Sequence, residues 1–175
     1  MLAKPLRPDG VLALAMLLAA ACSIGTPPSS GSPPQIVPPA VHLVLRLGER
    51  RLYLIDGDPR TPDESFPIAV GREGHETPTG RYQVEEMIEH PDFVRIDHGP
   101  PRRIRERVPP GPDNPLGERW IGFIRGNGWT IGIHGTPHPE LLGRAVSGGC
   151  IRMRNADVVR VYERVRLGTP VIVEP

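Results

Sequence analysis

Two short stretches near the C-terminus carry residue types that can work together: Ile133-His134-Gly135-Thr136 and, one loop later, Ser147-Gly148-Gly149-Cys150-Ile151-Arg152-Met153. A thiol is a weak nucleophile until it loses its proton, and a neighbouring imidazole can take that proton and hold the thiolate as an ion pair. One histidine and one cysteine at a shared site are therefore the chemistry of cysteine-dependent acyl transfer. The chain has 2 cysteines, and the other, Cys22, lies in what reads as an export signal. Cys150 is then the sole thiol of an exported domain, in surroundings where cysteines usually pair. A small buried hydrophobe is the ordinary fate of a free cysteine, but the glycine and polar neighbours of Cys150 argue against a core position.

The elements that must hold these residues read as short strands. His42 to Leu47 alternates, Gly48-Glu49 turns into Arg51 to Ile55, and a third strand follows near Ser65 to Val70. Thr77-Pro78-Thr79-Gly80 is a rigid turn leading into Arg81-Tyr82-Gln83-Val84. Residues 86–118, rich in Pro, Gly and charge and containing Arg102-Arg103-Ile104-Arg105, read as a long loop flanking a cleft. A solvated face serves equally for that arginine cluster. Trp120 to Ile124 and Trp129 to His134 form a hairpin across Arg125-Gly126-Asn127-Gly128. Period two puts Trp129, Ile131 and Ile133 on one face and Thr130, Gly132 and His134 on the other, where small neighbours leave room for a substrate. Asn155 is the expected N-cap of a helix to about Arg166, with Val158, Val161, Tyr162 and Val165 on one stripe, Gly168 closing it and a last strand over Pro170 to Val173.

The first residues have a different character. Lys4 and Arg7 precede an apolar run, Val11 to Ala21, too short to span a bilayer as a helix. Ala19-Ala20-Ala21-Cys22 resembles a bacterial lipobox, in which Cys22 is lipidated, and Ala19 with Ala21 also satisfies an ordinary signal peptidase. Residues 1–22 are thus expected to be a signal peptide, and residues 23–40 a spacer whose prolines and serines cannot bury a core. The expected location is the cell envelope, exported and tethered to a membrane through Cys22 or simply secreted. A formal net charge of +1 implies neither nucleic acid nor an anionic membrane face as partner.

Four ordered blocks carry a family resemblance: Thr77-Pro78-Thr79-Gly80; Asn114-Pro115-Leu116-Gly117 with Trp120; Ile133-His134-Gly135-Thr136; and Val146-Ser147 through Met153. With them the chain from residue 41 to 175 resembles an L,D-transpeptidase catalytic domain of the YkuD type, a bacterial cell-wall cross-linking family. The resemblance implies a mainly β fold, a sandwich or barrel with one or two short helices, acting on peptidoglycan stem peptides without a cofactor. It implies Cys150 as nucleophile, His134 as general acid and base, and the Gly135 carbonyl as the group orienting the imidazole. One departure stands out: the family usually has His where this chain has Gly148. The amides of Gly148, Gly149 and Cys150 can still form an oxyanion hole, because that role uses N–H groups. Ser147 and Arg152 are the expected substrate-binding residues, Arg152 as a cation for a substrate carboxylate or, equally, as a structural ion-pair partner. A thioester on Cys150 attacked by a stem amine would give a 3→3 cross-link. Water or a lipoprotein amine as acceptor would make a carboxypeptidase or an anchoring enzyme, and a noncatalytic wall-binding domain is the remaining class.

The other histidines suggest less. His138, four residues after His134, invites a zinc reading, but it stands between Pro137 and Pro139 and no second thiol or carboxylate completes a set; no metal is expected. His42, His75, His90 and His98 read as surface or loop residues.

Overall fold

The computed structural model describes residues 41–58, 60–97, 99, 101, 103–126 and 128–175. The expected signal and spacer, with Cys22, lie outside the described residues, as do His98, Arg102 and, in the expected hairpin turn, Asn127. The strands are, in chain order, β1 (Val41–Arg46), β2 (Arg51–Asp56), β3 (Glu64–Pro67), β4 (Val70–Gly71), β5 (Gly80–Gln83), β6 (Glu86–Glu89), β7 (Phe93–Asp97) and β8 (Arg103–Val108). They continue with β9 (Arg119–Arg125), β10 (Thr130–His134), β11 (Ala145–Ser147), β12 (Ile151–Arg152) and, after the single α-helix α1 (Asn155–Arg164), β13 (Pro170–Glu174). A 3₁₀ turn spans Pro139–Leu141.

Two sheets share one core. The first has the order β3-β2-β1-β13-β5 and the second β12-β10-β9-β6. Alternation along β1 and β2 buries Leu43, Leu45, Leu52 and Leu54 completely, and these meet Ile121, Phe123 and Ile133 of the second sheet and Val158 and Val161 of α1. Tyr82 and Phe123 touch across the sheets, ring centroids 5.7 Å apart. Burial of these aliphatic side chains is the main force holding the sandwich together.

Three expectations are corrected. The third strand is broken into β3 and β4, because Ile68 and Ala69 leave the β2 ladder: Ala69 pairs with Arg152, and β4 runs parallel to β11. Residues 86–118 are not a plain loop: β6 joins the second sheet beside β9, and β7 with β8 forms a separate two-stranded flap. The N-cap of α1 is Arg154, without a side-chain capping bond. The Asn155 side-chain Oδ1 instead accepts the Glu118 N–H at 3.2 Å, tying the helix to the loop before β9.

Candidate active site

Parallel pairing of β10 with β12 is what places His134 and Cys150 on neighbouring stretches of chain, two positions apart in register. Ile133 stands opposite Ile151 and His134 opposite Arg152, so one residue further back Cys150 comes alongside Gly132. Period two then puts Gly132, His134, Cys150 and Arg152 on one face of two adjacent strands. The Cys150 thiol packs against the β10 backbone, 3.9 Å from the Thr130 carbonyl, and takes a hydrogen bond from the Gly132 N–H.

His134 is buried, with its Nδ1 2.6 Å from the Gly135 carbonyl. A carbonyl can only accept, so Nδ1 carries the proton and Nε2 keeps its lone pair. The room expected beside His134 is occupied. Trp120 stacks on the imidazole with ring centroids 5.9 Å apart, and a Cβ on Gly132 would come within 2.7 Å of the Trp120 ring. The small residues on this face admit an indole rather than a substrate. Glu86 fixes that indole, accepting its Nε1–H at 2.8 Å and an Arg125 N–H at 3.2 Å. Trp129, expected on the apolar face with Ile131 and Ile133, is half exposed and lines the cleft.

Electrostatics set the resting protonation. Burial lowers the His134 pKa to about 4, opposed by the Gly135 hydrogen bond and reinforced by the Arg152 charge. Burial also raises the Cys150 thiol, against the smaller lowering effects of the Gly132 N–H and Arg152. Both shifts favour neutral thiol and neutral imidazole over the ion pair expected from residue types. Cys150 is also less open than its glycine-rich setting suggested, since it packs against the hydrophobic core.

The motif around the thiol is closed by hydroxyls. Ser147 Oγ donates to the Cys150 carbonyl at 2.5 Å and accepts the Gly149 N–H at 3.0 Å. That corrects two expectations. Gly149 spends its amide inside the motif and has none to offer an oxyanion, and the buried Ser147 is a structural clasp rather than a substrate ligand. Thr77 Oγ1 donates to the Gly149 carbonyl at 2.8 Å and accepts the Gly71 N–H at 3.1 Å. Its role was hidden in sequence, where the Thr-Pro-Thr-Gly block shows only a turn. Asn114 is fully buried, its amide N–H groups reaching the carbonyls of Pro91, Val108 and Pro109 at 2.8–3.1 Å, which pins both ends of the flap. Gly117 and Gly135 approach each other and the Asn155 side chain so closely that neither tolerates a Cβ. His138 stands apart on the surface, its Nδ1 3.2 Å from Glu140.

A cleft of about 710 Å³ leads to the thiol. Its walls are Val94 and Ile96 of β7, Glu86 and Trp120, and Trp129 with Thr130, and Cys150 is at its lining. The cleft is large enough for a peptide substrate and mixes apolar walls with a few charged groups.

Comparison with known proteins gives a concordant result. Residues 40–173 match the YkuD family model, described as the L,D-transpeptidase catalytic domain. A putative L,D-transpeptidase, YqjB, of Bacillus subtilis (strain 168) is 38% identical over 112 residues, covering 62% of this chain and 57% of the relative. The probable L,D-transpeptidase ErfK/SrfK of Escherichia coli (strain K12) is 36% identical over 159 residues, 82% of this chain and 49% of the relative. The chain thus spans about half the length of these two relatives. Among solved structures, an L,D-transpeptidase from Mycobacterium tuberculosis H37Rv superposes with a TM-score of 0.59 at 25% identity, covering 78% of this chain and 58% of the other. L,D-transpeptidase 3 from Mycobacterium tuberculosis, in complex with a faropenem-derived adduct, superposes equally well at 24% identity, covering 78% of this chain and 61% of that one.

Proposed function

Because the chain belongs to the YkuD family of L,D-transpeptidase catalytic domains, we propose that it is a cysteine-dependent peptidoglycan L,D-transpeptidase forming 3→3 cross-links through a thioester on Cys150. The observation that carries this reading is the placement of a half-buried thiol, at the lining of a peptide-sized cleft, on the same face of the β10–β12 pairing as a buried imidazole with a free Nε2.

At rest both groups are neutral. Attack of Cys150 on the carbonyl between the third stem residue and the terminal D-Ala forms the S–C bond while the thiol proton passes to His134. The imidazolium then gives that proton to the departing amine as the C–N bond breaks, leaving the thioester. A second stem's side-chain amine attacks the thioester, its proton is taken by His134 and returned to the sulfur, and the amide cross-link is complete. The Gly135 carbonyl holds the tautomer that makes Nε2 the acceptor. Trp120 keeps the ring in place by stacking. With Gly149 engaged by Ser147, the amides of Gly148 and Cys150 are the donors left for the tetrahedral oxyanion. Arg152, opposite His134 in register and without an ion-pair partner among the described residues, supplies positive charge to the thiolate as it forms.

The proposal extends to location. The basic start, apolar run and small residues before Cys22 support export with lipid on Cys22, and the Pro/Ser spacer supports reach to the wall. Cys22→Ser should then move the protein from the membrane fraction to the soluble exported one. The enzymatic reading is tested by incubating the domain with tetrapeptide muropeptides and resolving the products by mass: dimers joined 3→3 with release of D-Ala support it. Tripeptide alone would mean that water is the acceptor.

A further inference from the structure

Arg72 follows β4 and grips the cysteine motif twice at one atom: its backbone N–H and its guanidinium Nη1 both donate to the Ser147 carbonyl, each at 3.1 Å. That neutral carbonyl is the sole acceptor the guanidinium has among the described residues, and no carboxylate pairs with it. The next residue, Gly148, is exposed, and a Cβ placed there would meet nothing nearer than the Arg72 Nη1 at 3.9 Å. The absence of a side chain at position 148 therefore leaves an open gap, bordered by a planar cation with most of its N–H groups unused, two residues before Cys150. A guanidinium fork matches a carboxylate bidentately, and one already held by a hydrogen bond loses less freedom on binding it.

We propose that Arg72 is the specificity-determining residue for the donor, binding the free α-carboxylate of the terminal residue that leaves when Cys150 is acylated. This inference rests on the proposed peptide substrate, in which that carboxylate belongs to the amino acid whose nitrogen departs and is only two bonds from that nitrogen. The gap at Gly148 admits the carboxylate to the guanidinium. Arg152, in register with the imidazole, carries the charge beside the thiol instead.

The test uses two tetrapeptide donors that differ only in a C-terminal carboxylate or carboxamide. In wild type the carboxylate donor should be preferred, and Arg72→Gln should lower its kcat/KM about ten- to hundredfold, the scale of a charge-assisted hydrogen bond, while leaving the amide donor within about twofold. Arg72→Lys, which keeps the charge but loses the fork, should fall between. Equal losses for both donors would mean that Arg72 only supports Ser147, and no loss would remove it from the site; either result overturns the inference. Calorimetric binding of both donors to Cys150→Ala and Cys150→Ala/Arg72→Gln gives the same comparison without turnover. Selectivity in binding with no turnover by wild type would sink the proposed function and leave Arg72 standing; turnover without an Arg72-dependent preference would do the reverse. If Arg72→Gln fails to fold, the Arg72→Lys comparison decides alone, an unchanged carboxylate preference being the overturning result.

Discussion

The β10–β12 ledge and the β7–β8 flap face each other across the same cleft, but they are built differently. On the ledge, Ile133 and Ile151 are fully buried, His134 is nearly so, and the residues around Cys150 are clasped by Ser147 and Thr77 through hydrogen bonds of 2.5–3.0 Å. On the flap, β8 is exposed over almost its whole length, Ile104 lies 66% open, and the strands are laced by surface ion pairs, Arg95 with Glu106 and Arg107 with Asp92. Exposed pairs of that kind contribute little, so the flap owes its position mainly to the buried Asn114 at its base. The candidate reacting groups sit where backbone and core over-determine them, and the opposite wall of the cleft sits where change is cheap.

The largest effect expected from breaking this contrast is on the ledge. His134→Ala should lower the rate of acylation about a hundredfold or more, the scale of general acid–base help, whereas His138→Ala, on the surface and paired with Glu140, should change it little. Stopped-flow measurement of acylation by a chromogenic donor gives both rates, and the opposite ordering would refute the assignment.

The second effect concerns pH. His134 has a folded pKa of about 4 against an ordinary 6.5, so between those values the unfolded chain binds the extra proton. Stability from this residue is full above about pH 6.5 and is lost as pH falls toward 4, levelling below it, to a total of about 3 kcal/mol. Urea unfolding across pH 4–7 should show that loss, and His134→Gln should flatten it. Since the thiol is raised rather than lowered, alkylation of Cys150 in the free protein should keep rising through and beyond pH 9. A plateau near neutrality would mean a resting ion pair.

Next in size, Thr77→Val removes the hydroxyl that serves Gly149 and Gly71, leaving two buried backbone groups unpaired. A loss of about 1–3 kcal/mol in urea unfolding is expected, with slower acylation. The smallest effect belongs to the flap: Arg107→Gln should shift stability by less than about 1 kcal/mol. A larger loss would show that the flap is held by its surface charges after all.

The same contrast explains what the sequence revealed. Strands with one face in the core, such as β1, β2, β9 and β10, announce themselves by alternation, and the family blocks contain His134 at the end of β10 and Cys150 just before β12. The flap did not, because Val94, Ile96 and Ile104 face cleft and solvent among Pro, Gly and charge, so no buried face imposes a readable period. Asn155 looked like a cap because its residue type suits one; its side chain is diverted to the Glu118 N–H by a contact distant in sequence. Gly132 looked like open space until Trp120, brought over by the β9–β10 pairing, filled it. Neutralisation of the His134–Cys150 pair was likewise invisible, since it comes from burial rather than from residue type.

The account stands or falls on whether Cys150 becomes acylated. Intact-protein and peptide mass spectrometry after incubation with a carbapenem, a stable acyl donor, addresses this directly. The prediction is one adduct per chain, on the peptide carrying Cys150, missing from Cys150→Ala and slow to form in His134→Ala. A folded wild-type domain that forms no adduct, or a Cys150→Ala variant that still takes one up, would contradict it.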